Sequence, residues 1–277
     1  MVMPSRNVRL RLNQQPSALK LRLLSYNIHN GVATNGYHHY FTRSWELMLP
    51  HPKMRRNLSS IATLLRDFDI AGLQELDRGS LRSGFVNQAQ YLRERAGFPL
   101  AYCSVNRRMG VLAQHAMAIL SRLVFTRVTQ HRLPGRVPGR TALVAHLGDG
   151  ADPLHIVLVH LALGSSSRLQ QIDYLIRLIR EYTHVIVMGD MNCGERSKEM
   201  QLLRKKTDLH LASEGLPTYP SWRPKRHYDH ILVSPNIRVD QVRVLRCPFS
   251  DHLPLAVEVL LPRSLHLSRL SHSLPVE

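Results

Sequence analysis

Residues 185–192, with the sequence VIVMGDMN, carry four apolar residues that lead directly into a glycine, a carboxylate and an amide. A short apolar run that is rich in β-branched residues and closed by glycine is typical of a buried strand ending in a turn. Taken alone, Gly189–Asn192 fits a tight turn as well as part of an active site, because Asp and Asn are favoured in turns. Patterns elsewhere in the chain distinguish these two interpretations.

Other polar side chains stand in the same relation to apolar runs of strand length. They are Asn27 after residues 21–26, Gln74 and Glu75 after 70–73, His160 after 156–159, Asp229 at the start of 228–233, and Ser250, Asp251 and His252 before 255–261. Each alone has a structural explanation, as a turn or capping residue or, for His160, as a hydrogen-bonded core histidine. Six such signals in one chain favour a preorganised site at the rim of a packed sheet, where strand ends are rigid.

Strand-like and helix-like segments alternate irregularly between these positions. Helical spacing of apolar residues predicts helices at 54–68, 86–96 and 168–182. Strands are predicted at 21–27, 70–73, 116–121, 124–132, 141–146, 156–161, 185–188, 228–233, 239–245 and 255–261. Short connections within 116–161 imply antiparallel pairing, which argues against a doubly wound parallel sheet. We expect an α/β (α+β) fold in which two packed sheets are flanked by helices.

One large domain at residues 21–262 accounts for most of the 277-residue chain. It is preceded by a basic extension at 1–20 and followed by a basic tail at 263–277, which is rich in Leu and Ser. We expect this tail to be frayed, with a short amphipathic helix lying on a membrane or on the domain as the alternative. The aromatic and basic segment Thr34–His51 fits contact with bases or lipid headgroups as well as packing against the domain.

The charge of the chain points to anionic partners. Its 37 Lys and Arg against 20 Asp and Glu give a formal net charge of +17, which favours nucleic acid, anionic lipid or a phosphorylated small molecule. A generally basic proteome is the alternative. The three cysteines are too few and too scattered for a disulfide framework or a zinc site. With no signal-peptide pattern and no apolar run long enough to span a membrane, we expect a cytoplasmic protein with possible peripheral membrane contact.

The ordered set of motifs resembles the endonuclease/exonuclease/phosphatase superfamily. The matching segments are LRLLSYNIHNG (21–31), DIAGLQELD (69–77), AMAILSR (116–122), GRTALVAHL (139–147), LVHLAL (158–163), VIVMGDMN (185–192), YDHILVS (228–234) and SDHLPLAVEV (250–259). The resemblance covers roughly residues 21–261. It implies a four-layered α/β sandwich of two mixed, largely antiparallel sheets, as in pancreatic-type DNases.

The resemblance also implies a role for each matching residue. Glu75, Asn27 and Asp251 resemble the metal-side ligands, and Asp190 the residue that orients or deprotonates the attacking water. Asn192 resembles the amide that holds the scissile phosphate, and His160 the histidine that contacts the phosphate or assists the leaving oxygen. Asp229 and His252 resemble the family's Asp-His pair. Asn27, Asn192 and His160 are also the expected substrate contacts. Oxygen ligands of this kind select Mg²⁺ or Mn²⁺, or else Ca²⁺, rather than zinc.

The segment Thr218–His227 is expected to bind substrate through Trp222 and Arg223, because its charges stand next to Asp229 in the sequence. Arg140 matches the family's recurring arginine before a central strand and is expected to anchor the site. Three functions remain open: a phosphodiesterase acting on nucleic acid or a phospholipid headgroup, a phosphomonoesterase acting on a small metabolite or inositol phosphate, and an inactive polyanion-binding module. The filled catalytic positions favour the enzymes. The oligomeric state is left open.

Overall fold

The computed structural model of the protein describes residues 19–32 and 51–270. The predictions for the N-terminal extension before Leu19, for residues 34–50 and for the tail after Leu270 lie outside the described residues. Within the described parts of the chain, no helix combines the length and the apolar character that crossing a bilayer requires.

Two six-stranded sheets form the framework. The first has the strand order β11(Arg238–Val244), β12(Leu255–Leu260), β1(Lys20–Asn27), β2(Ile70–Asp77), β4(Ala113–Ser121) and β3(Leu100–Met109). The second has the order β5(Phe125–Arg132), β6(Thr141–Leu147), β7(Leu154–His160), β8(His184–Asp190), β10(Asp229–Val233) and β9(His210–Leu211). The described helices are α1(Met54–Leu65), α2(Gln88–Ala96), α3(Ser165–Ile179) and α4(Lys198–Thr207). The predicted fold class is confirmed.

The alternation of side chains along the strands explains why the molecule has four layers. Leu21 and Leu23 of β1 join the core between the sheets, whereas Leu24 and Tyr26 pack under α1 and α2 on the outer face. The second sheet packs in the same way under α3 and α4. Both faces of each sheet are therefore apolar, as expected for strands that are covered on both sides.

The two sheets pack tightly against each other around one glycine. A Cβ atom added to Gly72 of β2 would lie 2.6 Å from Cδ1 of Leu158 and 2.7 Å from Cε of Met188, both in the second sheet. Only hydrogen fits between these side chains without displacing them. Gly72 therefore sets the distance between the halves of the molecule at their centre.

Strand direction brings the polar strand ends to one rim. Strand β1 runs parallel to β2, and β7 runs parallel to β8, so these four strands end at the same edge. Strands β12 and β10 run antiparallel to β1 and β8, so they begin at this edge. In register, His160 and Asp229 both pair with Asp190. The connections of the fold thus collect the six polar signals of the sequence at one rim.

Three elements and one connection differ from the sequence prediction. Strand β3, strand β9 and helix α4 were not predicted; β3 is mostly exposed or half-buried, and α4 buries few of its residues. The run of strands at 116–161 is not one antiparallel series, because β4 belongs to the first sheet while β5, β6 and β7 form the second. The short β4–β5 connection crosses between sheets, which its length alone does not reveal.

The described part of the C-terminal tail lies on the domain, whereas the sequence favoured a frayed tail. Leu265 is buried in the core between the sheets, and Arg269 forms an ion pair of 2.9 Å with Asp69. The tail continues as extended chain, with the Leu270 N–H donating to the carbonyl of Arg122 at 3.1 Å. It is neither a helix nor detached up to this point.

Candidate functional site

A cleft of about 450 Å³ opens at this rim. Its lining includes six of the predicted site residues: Glu75, His160, Asp190, Asn192, Asp251 and His252. Asn27 and Asp229 are buried behind them and are joined to them by hydrogen bonds. Trp222 and Arg223 do not belong to this lining; the same loop contributes Tyr219, Arg226 and Tyr228 instead. The cleft is lined from both sheets.

The backbone before Asp190 is in a conformation that only glycine adopts easily. Gly189 has φ +146°, and a Cβ atom there would lie 1.9 Å from the carbonyl oxygen of Val159 on the neighbouring strand. Beyond it, the N–H of Asn192 donates to Oδ1 of Asp190 at 2.9 Å, and the Asn192 side chain donates to the carbonyl of Leu161 at 3.0 Å. The segment therefore forms a tight turn, and the turn also places Asp190 and Asn192 at the cleft, so the two interpretations do not exclude each other.

Asp190 is the meeting point of the two sheets. Its Oδ2 accepts a hydrogen bond of 3.1 Å from Nδ2 of Asn27 in the first sheet. The Nε2 atoms of His160 and His252 lie 3.6 Å and 3.7 Å from the same oxygen. The carboxylate is almost fully buried, so its position is determined by these contacts rather than by solvent.

Glu75 reaches the cleft through a β-bulge. The pairing of β2 with β4 shifts register between Leu73 and Leu76, and Glu75 has φ +55°. Gln74 is fully buried, whereas the Glu75 side chain is 31% exposed and accepts a hydrogen bond from Asn27 Nδ2 at 3.1 Å. A bulge re-aims a side chain in this way without ending the strand, which is why β2 continues beyond the predicted end at Leu73.

Asp229 and His252 form a buried pair. Nδ1 of His252 lies 2.7 Å from Oδ2 of Asp229, which also accepts a 2.5 Å hydrogen bond from the Thr218 hydroxyl. Oδ1 of Asp229 has no hydrogen-bond partner among the described residues. The ring of Tyr219 lies against His252 with centroids 4.9 Å apart. This geometry aims Nε2 of His252 at Asp190 and the cleft.

Asp251 is held on the first-sheet side of the cleft. Ser250 donates from its hydroxyl to the carbonyl of Asn27 at 2.7 Å and lies 3.1 Å from Oδ1 of Asp251. Nδ1 of His29 lies 3.6 Å from the same carboxylate oxygen. His29 was not predicted as a site residue, because the local pattern of the Asn-Ile-His segment does not reveal which residue the short 3-10 turn directs into the cleft.

Glu75 and His160, which lie side by side in the site, both have strongly lowered pKa values. Burial opposes ionisation of Glu75, but the imidazoles of His160 and His29 and the amide of Asn27 outweigh it and lower the pKa of Glu75 to about 2. Burial and the guanidinium of Arg140 lower the pKa of His160 to about 3. At neutral pH the site therefore has an anionic glutamate beside a neutral imidazole.

The opposite side of the cleft has the reverse arrangement. Burial raises the pKa of Asp190 to about 7, with His252 opposing the rise and Asp229 adding to it. Burial opposes the charge on His252, but Asp229 and Asp190 raise its pKa well above the ordinary value. An imidazolium therefore stands next to a carboxyl group that exchanges its proton near neutral pH, which suits general acid–base chemistry.

The donor set fits a hard divalent cation. The carboxylates of Glu75, Asp190 and Asp251 line one cleft, and oxygen donors of this kind suit Mg²⁺ or Mn²⁺. The Asn27 amide donates from Nδ2 to Glu75 and Asp190, and its Oδ1 accepts from the N–H of His29 at 3.1 Å. Asp190, Asp229 and His252 also present ligand atoms within 4.8 Å of one another. His252 and Asp229 already contact each other at 2.7 Å, so this group would have to give up that contact to hold an ion.

Comparison with known proteins gives a family match and similar folds. A model described as the Endonuclease/Exonuclease/phosphatase family matches residues 24–252. A solved structure of a family protein from Bacteroides thetaiotaomicron superposes with a TM-score of 0.69 at 17% identity, over 89% of this chain and 100% of that chain. The search of curated proteins gives no match.

Two further solved structures have the same fold. A mannosyl-6-phosphatase from Bacteroides thetaiotaomicron has a TM-score of 0.65 at 19% identity, over 87% of this chain and 100% of that chain. The catalytic domain of human Nocturnin, with a bound sulfate anion, has a TM-score of 0.65 at 19% identity, over 87% of this chain and 95% of that chain.

Proposed function

Because the chain belongs to the endonuclease/exonuclease/phosphatase family, whose members hydrolyse phosphoester bonds, we propose that it is a divalent-metal-dependent phosphodiesterase. Its substrate is a nucleic acid or a phospholipid headgroup, and water attacks the phosphorus in line with the leaving oxygen. The observation that carries this proposal is the convergence of Asn27, His160 and His252 on Asp190, within 3.7 Å and from both sheets.

Each residue has a distinct task in this proposal. Asp190 accepts the proton of the attacking water, and its pKa of about 7 suits that transfer at neutral pH. His252 donates from Nε2 to a phosphate oxygen and is kept cationic by Asp229. Asn192 and the neutral His160 provide further N–H donors to the phosphate.

Glu75 and Asp251 would hold the divalent cation, with the oxygen of Asn27 as a further ligand if its amide turned from its present orientation. The cation would supply positive charge where negative charge grows on the phosphate oxygens. Because Glu75 is ionised down to a pH of about 2, it remains a competent ligand over the whole range in which the fold is expected to function.

The proposal is tested with a screen of phosphate diesters, monoesters, nucleic acids and phospholipid vesicles, with and without Mg²⁺ or Mn²⁺. Asp190→Asn and His252→Asn should each lower turnover by at least about 100-fold, because each removes one acid–base or electrostatic contribution. His210→Asn, an exposed histidine outside the cleft, serves as the matched control. Unchanged turnover in either site variant, or in excess EDTA, would refute the mechanism.

The same screen separates the substrates. A nuclease should lose affinity steeply as salt concentration rises, whereas a lipid headgroup enzyme should require vesicles. A second candidate, a phosphomonoesterase, is favoured by the similarity to a structure described as a mannosyl-6-phosphatase. Faster hydrolysis of monoesters than of diesters by the wild-type chain would select it. Polyanion binding without any turnover would select the inactive module.

A further inference from the structure

A second cavity of about 180 Å³ adjoins the catalytic cleft. Glu75, Arg140 and His160 line both cavities, so the two spaces share a wall. The other walls of the second cavity come from the β3–β4 pair and from the loop that precedes β6. None of the tasks proposed above uses this cavity.

Its lining carries two guanidinium groups, those of Arg107 of β3 and Arg140, and one carboxylate, that of Glu75 on the wall shared with the cleft. Within residues 19–32 and 51–270, neither guanidinium takes part in a hydrogen bond or an ion pair of the structure. Arg140 is only partly exposed, and the carboxylates of Glu75 and Asp190 favour its charge without forming an ion pair with it. A partly buried guanidinium whose N–H groups have no acceptor is costly. Such a cation next to a cavity points to an anionic ligand.

The walls of the cavity are fixed by specific contacts between the loop before β6 and strand β3. Gly139 has φ +100°, and a Cβ atom there would lie 2.7 Å from the carbonyl oxygen of Asn106, so the loop packs tightly on β3. The hydroxyl of Thr141 donates to Oδ1 of Asn106 at 2.8 Å and fixes the same contact. The position of Arg140, which lies between Gly139 and Thr141, is thereby determined.

The β4 wall is equally ordered. His115 lies with both ring nitrogens 3.4 Å from the guanidinium of Arg82, and Nε of Arg82 donates to buried Asp77 at 2.7 Å. The charge of Arg82 is therefore balanced by Asp77, and the Arg82 guanidinium holds the ring of His115 in place. Among the residues that the structure describes, the guanidinium groups that line the cavity without a hydrogen bond or an ion pair are those of Arg107 and Arg140.

We propose that this cavity binds a second phosphate group of the substrate whose first phosphate is cleaved in the catalytic cleft. The inference rests on the proposed phosphoester hydrolysis and adds the substrate class: a molecule with two phosphate groups on neighbouring positions. The cavity is less than half the size of the cleft, which fits a terminal phosphate rather than a chain passing through. Two arginines match the charge of a terminal phosphate.

Arg107 and Arg108 provide a matched pair of variants. They are adjacent exposed residues on β3, but Arg107 lines the cavity and Arg108 does not. Loss of one charge-assisted contact to a phosphate should weaken binding by about 10-fold. The two glutamine variants remove the same charge from the same strand, so a general effect of net charge would appear in both.

The test measures the affinities of adenosine 3′,5′-bisphosphate and adenosine 5′-monophosphate by calorimetry. A trinucleoside diphosphate, whose two phosphates are both diesters and which has no terminal phosphate, is the third probe. The wild type should bind the bisphosphate about 10-fold more tightly than the monophosphate. Arg107→Gln should abolish that preference, and Arg108→Gln should retain it. Equal affinities in the wild type, or a preference that Arg107→Gln leaves intact, would overturn the proposal. A trinucleoside diphosphate that outcompetes the bisphosphate would overturn the terminal-phosphate assignment in favour of a polynucleotide.

The binding measurement tests the second subsite, and the turnover assay tests the proposed function, so either proposal can be refuted without the other. Hydrolysis of phosphoesters without a bisphosphate preference would refute the second subsite and leave the proposed function standing. An Arg107-dependent preference without hydrolysis of any phosphoester would refute the proposed function and leave the anion site standing.

Discussion

At the scale of single residues, Gly189 determines where the Asp190 carboxylate points. Gly189→Ala places a methyl group 1.9 Å from the Val159 carbonyl and imposes a positive φ on a residue with a side chain. We expect a loss of about 1–3 kcal/mol in the free energy of unfolding and a fall in turnover of at least about 100-fold. Denaturant titration and turnover assays measure the two effects.

Gly150→Ala is the control for this substitution, because a Cβ atom at Gly150 meets nothing within 4 Å. It should change neither quantity. A Gly189→Ala protein with full activity would contradict the assigned role of the backbone at this position.

A second residue-scale prediction concerns Asp77, which is fully buried among six hydrogen-bond donors. They are the N–H groups of Gly79, Ser80 and Gln114, the hydroxyls of Ser80 and Ser83, and Nε of Arg82. Burial opposes ionisation, but the bonds from Ser80, Arg82 and Gln114 outweigh it and lower the pKa of Asp77 to about 2. The carboxylate therefore stabilises the fold above the pKa that it has in the unfolded chain.

This stabilisation, about 2 kcal/mol, should be lost as the pH falls from about 4 to about 2. Denaturant titrations at pH 6 and at pH 2.5 measure it for the wild type and for Asp77→Asn. The variant should be less stable at pH 6 and should lose about 2 kcal/mol less on acidification. Parallel acid dependence of the two proteins would show that Asp77 is not the responsible group.

The residue types of the site could be predicted from the sequence, but some of their partners could not. Apolar runs ending in Asn27, Glu75, His160 and Asp190 placed these side chains at strand ends, and the structure brings them together. The contribution of Thr218 to Asp229 depends on where a long loop returns to the sheet, which no local pattern encodes. For the same reason Trp222 and Arg223 were chosen from a loop whose Tyr219, Arg226 and Tyr228 line the cleft instead.

At the scale of elements, buried strands were predicted from the sequence and exposed strands were missed. Strands with near-continuous apolar sequence, such as β7 and β8, were found because both of their faces are covered. Strand β3 was not predicted, because only one of its ten residues is buried and its end carries Arg107 and Arg108. The extension of β2 to Asp77 escaped because the bulge at Glu75 interrupts the alternation.

The C-terminal segment 263–270 carries the prediction at this scale. A chain that ends at Pro262 loses the buried Leu265 and the ion pair between Arg269 and Asp69, and we expect it to be less stable by about 2 kcal/mol. A chain that ends at Leu270 keeps both contacts and serves as the control. Denaturant titration compares them, and equal stability of the two truncated chains would show that the segment contributes nothing.

At the scale of the whole molecule, the two-sheet architecture could be predicted because the strand patterns and the family resemblance agree. Which strands belong to which sheet could not be predicted for 116–161, since a short connection serves a hairpin and a crossing between sheets equally well. The arrangement that results is alike in both sheets: a parallel pair, β1–β2 or β7–β8, lies between antiparallel neighbours. This repetition places the carboxyl ends of both pairs side by side.

The close contact at Gly72 has a consequence for how the protein fails under stress. The proposed catalytic residues come from both sheets, and Asn27 and His252 lie 3.1 Å and 3.7 Å from Asp190. At Gly72, the side chains of Leu158 and Met188 leave room for only a hydrogen atom. A displacement of one sheet relative to the other by about 1 Å would leave every strand and helix intact but would separate Asn27 from Asp190. Turnover depends on the alignment of the two sheets. Under denaturing stress, we therefore expect turnover to be lost before any spectroscopic signal of secondary structure begins to change.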